Sequence, residues 1–232
     1  MLSLIRPLYR SVRGGAESFR TAVVKSPRTA RMLAHRVLNR SDYSRWSNEN
    51  NLERWWETRT AKLGQFVPAS SRVIEFGAGT CRLPHYLDPT CTYFASDLVP
   101  RIPGTIVCDL NKRPLPDLRH LDLDVAVFAG VLEYIVNLPS LVRWLSTQVG
   151  ACVVSYDGVD SQRWSAERIA GLWRRKYFGY MNDYEPAAFL EIFEAAGFHC
   201  RATARWESQE LYFFVSDRSR FAEKAVAASV VS

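Results

Sequence analysis

The period of the hydrophobic pattern changes near residue 72, and the change divides the chain. Before it, Leu52, Trp55, Trp56 and Leu63 fall on roughly one face of a helical stretch that ends ahead of Pro68. Further upstream, residues 1 to about 45 read as short basic helices, interrupted at Gly14-Gly15 and restarted at Ser26-Pro27, a cap followed by proline at the first helical position. After residue 72 short β-branched runs take over. Ser71–Phe76 is one, closed by Gly77-Ala78-Gly79, and the residues after it predict a helix through Leu83 and Leu87. Thr92–Asp97, Thr105–Asp109 and Asp124–Ala129 follow, each apolar and each ending in a small or acidic residue, as buried parallel strands do.

A helix over about Pro139 to Gln148 then leads to a fifth strand, Ala151–Tyr156, and to a basic insert with Arg163, Arg168, Arg174, Arg175 and Lys176. Phe189, Ile192, Phe193 and Ala196 stand at helical spacing behind Pro186, and Gly197 ends that helix. Two last strands, about His199 to Trp206 and Glu210 to Val215, are joined so tightly that they must be antiparallel. Alternating β and α elements with a terminal hairpin predict an α/β fold: a doubly wound, Rossmann-like open sheet, mostly parallel. The expected organisation is a basic helical arm over 1–45, one domain over 46–216 and a tail over 217–232.

Composition narrows the classes. Among 232 residues, 47% are hydrophobic, which suits a globular chain, and no apolar run reaches the ~18 residues of a membrane span. The five cysteines are scattered with no C-x-x-C pair, so neither a disulfide framework nor a zinc ribbon is written. The start Met1–Ile5 meets Arg6-Pro7 before a signal-peptide core can form, and the expectation is a cytoplasmic protein with reduced thiols. Charge is uneven: residues 1–40 hold nine Arg and Lys against Glu17 alone, a balance of +8 that leaves −2 of the total +6 for everything after. That arm reads as a solvated extension, a membrane-peripheral segment, a mitochondrial transit peptide or an RNA grip.

The chemistry concentrates at the carboxyl ends of the strands. Glycines in the turn Glu75–Cys81 let the backbone approach a ligand, and a following helix would offer free N–H groups to an anion. Asp97, twenty residues after Gly77, is placed to accept from ribose hydroxyls, and Asp109 from an adenine amine. A dinucleotide fingerprint would need glycine where Arg82 stands, and no P-loop is present.

With Val73–Thr80, Tyr93–Leu98, Cys108–Asn111, Asp124–Ile135 and Ala195–Phe198 in order, the chain resembles the class I S-adenosylmethionine-dependent methyltransferases over about residues 50 to 216. The resemblance implies S-adenosylmethionine as cofactor, with Glu75, Gly77, Ala78 and Gly79 around its methionyl end, Asp97 and Leu98 at the ribose, Asp109 and Leu110 at the adenine, and Ala129 and Gly130 beside the sulfonium. Cys81 departs from the pattern, standing where many members have a third glycine.

No general base is conspicuous, and none of His35, His85, His120 and His199 pairs with an evident carboxylate. Glu133 and Tyr134 either face the acceptor or start a helix. Tyr177–Tyr184 is a lid or a packed aromatic loop, and Trp46, Trp55 and Trp56 read as packing. The fourth strand lacks the Asn/Asp-Pro-Pro-Tyr signature of exocyclic-amine nucleic-acid methylators. The expected function is therefore methylation of a small-molecule, glycan or lipid-linked acceptor. An RNA methyltransferase using the basic arm and a non-catalytic module of the same fold are the alternatives, and no metal is expected.

Overall fold

In the computed structural model, residues 26–38, 40–159 and 166–222 are described; the expectations for residues 1–25, for Arg163 of the basic insert and for the end of the tail lie outside them. Seven strands form one sheet: β1 (Arg72–Phe76), β2 (Thr92–Asp97), β3 (Ile106–Val107), β4 (Val125–Phe128), β5 (Ala151–Tyr156), β6 (Phe198–Trp206) and β7 (Gln209–Ser216). Their order is β3-β2-β1-β4-β5-β7-β6. The first five are parallel, and β7 is antiparallel to both β5 and β6. The doubly wound sheet and its closing hairpin are as the alternation predicted. The order reverses between β1 and β4, so their carboxyl ends open a crevice at the switch point.

Helices cover both faces: α1 (Pro27–Val37), α2 (Tyr43–Trp46), α3 (Glu57–Gly64), α4 (Leu138–Leu145), α5 (Ala166–Phe178) and α6 (Pro186–Glu194). Because successive strand residues point to opposite faces, Ile74, Phe76, Ala126, Phe128, Cys152 and Val154 pack under α4 and α6. Val73, Val125, Val127, Ala151 and Val153 pack with Leu63 of α3, Leu83 and Phe221 on the other side. Asn137 caps α4 by accepting from the Ser140 N–H at 3.0 Å. Gly197 turns the chain from α6 into β6 at φ +81°.

Two expectations fail locally. The helix expected after the glycine turn is a single 3₁₀ turn, Leu83–Tyr86, because Pro84 disfavours helical backbone at the residue before it and Pro89 soon follows. The third strand keeps only two paired residues of the five expected.

Candidate functional site

The crevice is built from four loops at the strand ends. After β1 the chain passes through Gly77 at φ +67° and Gly79 at φ +53°, conformations that glycine adopts without penalty. At Gly77 space is also limiting, since a Cβ there would lie 2.6 Å from Val131 Cγ2. Cys81 stands at φ +52°, in the left-handed backbone region that glycine favours. Burial also raises its thiol's pKa, which disfavours a reactive thiolate.

Asp97 holds this turn. Its Oδ2 accepts the Gly79 N–H at 2.8 Å, and its Oδ1 accepts the Leu98 N–H at 2.6 Å. The guanidinium of Arg101 lies 3.2 Å from the same carboxylate. A carboxylate has about four acceptor positions, so capacity for hydroxyl donors is left over. Asp109 lies beyond the neighbouring strand and accepts from Ser41 Oγ at 2.7 Å and from the Asn111 N–H at 3.0 Å. Leu110 is buried beside it, and Leu98 is half-buried.

On the β4 side, the Gly130 N–H donates to Ser155 Oγ at 2.8 Å, and the Ala129 carbonyl accepts from Arg59 Nη2 at 2.8 Å. Arg59 reaches this point from α3, is 6% exposed, and also donates to Gln209 Oε1 at 3.1 Å. A Cβ on Gly130 would fall within the guanidinium, so the glycine makes room for the cation. Sequence reasoning missed Arg59. The available signal was a charged residue in the otherwise largely apolar face formed by Trp56, Thr60 and Leu63.

Three ionisable side chains are thus buried near one another: Arg59, Glu75 and Glu133. Among the described residues none forms an ion pair with another, and Arg59 Nε and Glu133 Oε2 have no hydrogen-bond partner. Glu75 Oε2 accepts from the Tyr93 hydroxyl at 2.6 Å. Burial pushes the Glu75 carboxyl up to about 8, with the Tyr93 bond acting against the rise. Glu133 is raised as well, again mainly by burial, although its Oε1 accepts the Asp157 N–H at 2.9 Å. Isolated buried charges are costly, and the arrangement suits a zwitterion, with its carboxylate toward Arg59 and its ammonium toward a glutamate.

Aromatic rings close the mouth. Trp46 meets Tyr134 edge-on at 4.8 Å between centroids, and Tyr134 meets Tyr180 at 5.3 Å. Leu52 faces Gly79, while Arg101 donates to the Trp46 carbonyl, so the segment around α2 lies across the crevice. Tyr177–Tyr184 is tied to the β4 loop: the Met181 N–H donates to the Glu133 carbonyl at 2.7 Å, and Asn182 Nδ2 to the Leu132 and Ile135 carbonyls. Trp55 stacks on Trp206 at 5.1 Å between centroids. Among the described residues no cluster suits a metal ion.

No family model and no curated protein sequence matches the chain. Solved structures do match in fold. A Nostoc punctiforme protein assigned as an O-methyltransferase superposes with a TM-score of 0.61 at 13% identity, over 85% of this chain and 71% of that one. Human N-acetylserotonin methyltransferase, solved with S-adenosylmethionine, gives 0.56 at 15% identity, over 76% of this chain and 56% of its own. A Burkholderia thailandensis N-methyltransferase, solved with 1,6-didemethyltoxoflavin and S-adenosylhomocysteine, gives 0.53 at 15% identity, over 85% and 89%. The chain has the fold that these proteins share.

Proposed function

We propose that the chain is an S-adenosylmethionine-dependent methyltransferase acting on a small-molecule acceptor. The observation that carries this reading is the set of buried ionisable groups with no ion pair among the described residues, Arg59 beside Glu75 and Glu133, next to a glycine turn held by Asp97. A ligand with an amino-acid end and a ribose would satisfy that set. Arg59 Nε takes the carboxylate, Glu75 the ammonium, Asp97 the ribose hydroxyls and Asp109 the adenine amine. Arg101, buried 3.2 Å from Asp97, would share that carboxylate with the ribose.

When bound, the cofactor would supply an activated methyl group on a sulfonium for transfer to a nucleophilic atom of the acceptor. The chain contributes alignment and exclusion of water, and alignment alone is worth up to roughly 7–11 kcal/mol of barrier. Trp46, Tyr134 and Tyr180 wall the side of the crevice next to the β4 loop, where the acceptor would enter. The fold neighbours solved with small-molecule acceptors or cofactor support a small acceptor over RNA, as does the missing nucleic-acid signature after β4. Transfer of labelled methyl to a cell extract, fractionated into metabolites, lipid, glycan and RNA, tests the acceptor class. Label in metabolites is the expected outcome, and label confined to RNA contradicts it.

A further inference from the structure

Helix α1 has two apolar edges, and the fold uses one. Thr29 and Met32 are buried, with Met32 packed on Gly179 at the end of α5, and Arg36 bonds Asp183 at 3.2 Å. These contacts fix the rotation of the helix. A second edge carries Ala30, Leu33, Ala34 and Val37, an i, i+3, i+4, i+7 stripe in which all four residues are exposed, Val37 at 81%. Leu38 and Tyr43, 58% and 57% exposed, extend it past the helix end. The helix contains no acidic residue; exposed Arg40 follows its end, and Arg31, though exposed, is ion-paired with Asp42 at 3.0 Å.

We infer that this face docks on an anionic lipid surface. An apolar stripe edged by arginine is what an interfacial helix presents to lipid, burying its apolar residues at the headgroup boundary while the cations meet lipid phosphates. Charge decides among possible occupants. A second copy of the chain would bring two arms of nine basic residues and one acid into apposition, and their repulsion opposes pairing. An anionic surface neutralises the same charges. Residues 1–25, which run directly into α1, add Arg6, Arg10, Arg13, Arg20 and Lys25 to that side of the balance.

The test is cosedimentation of the full chain with vesicles of phosphatidylcholine alone and with one third phosphatidylserine, using the wild type and the double variant Leu33→Gln, Val37→Gln. Both positions are exposed, so folding and cofactor affinity, checked by circular dichroism and calorimetry, should stay unchanged. The wild type should pellet with the anionic vesicles only, less so in raised salt, and the variant's partitioning should fall roughly tenfold. Three results overturn the inference: no binding by the wild type, equal binding by the variant, or a concentration-dependent dimer in vesicle-free sedimentation that the variant abolishes. Cofactor affinity is a separate readout, so a failure here leaves the proposed function standing.

Discussion

Asp97 illustrates how one side chain serves both structure and binding: its two oxygens fix the Gly79 and Leu98 amides and still have room for hydroxyl donors. Charge-assisted bonds contribute about 1.5–3 kcal/mol each. Asp97→Ala should therefore weaken S-adenosylmethionine binding roughly ten- to a hundredfold by calorimetry. Arg59→Met should weaken it by at least about tenfold, while circular dichroism reports a folded chain. If Arg59→Met binds like wild type, the buried cation does not contact the ligand. Glu75 gives a pH signature. Its folded carboxyl titrates near 8 against an ordinary value of 4.5, so between those values the folded chain holds a proton that the unfolded chain has released. This contribution to stability is full below about pH 4.5 and is lost as pH rises through about 8. Thermal melts from pH 5 to 9 should show the wild type losing ground to Glu75→Gln across that window. Parallel curves would mean that Glu75 does not titrate there.

At the scale of elements, the glycine turn is the most exacting piece. Gly79 has room for a side chain, with Leu52 Cδ1 at 3.6 Å from a Cβ, but not the backbone conformation for one. Gly79→Val should abolish cofactor binding and leave the sheet intact. Cys81→Gly is expected to act in the other direction. Relief of left-handed strain, ~1–2 kcal/mol, outweighs the extra freedom of glycine in the unfolded chain, ~0.5–1 kcal/mol. A gain of about 0.5–1 kcal/mol in urea denaturation, with binding retained, is the expected result. The strand runs were legible because buried parallel strands are continuous apolar segments, and β5 was read to the residue. The helix after β1 was misread: Leu83 and Leu87 have helical spacing, but Pro84 removes a donor and restricts its neighbour. Apolar spacing outweighed proline in that reading, and the structure reverses the order.

For the whole molecule, topology was legible from element order, since a tight hairpin after five parallel strands leaves little freedom at the sheet edge. The placement of the candidate residues at the carboxyl ends of β1 to β4 followed from the same order. What no local pattern contained was the long-range assembly of the site. Arg59 meets Gln209 across 150 positions, and Ser41 meets Asp109 across 68. Such contacts depend on which helix covers which strand end. The packing of α1 on α5 was likewise hidden, because a basic amphipathic helix reads the same whether its apolar edge faces protein or solvent.

The ligand that joins Arg59, Glu75 and Asp97 decides the function. The most direct measurement is isothermal titration of the full chain with S-adenosylhomocysteine, with NAD as the control and Asp97→Ala as the site variant. The account predicts one site per chain for S-adenosylhomocysteine, weakened ten- to a hundredfold in the variant, and no heat with NAD. No binding of S-adenosylhomocysteine to the wild type, or tighter binding of NAD, would contradict it.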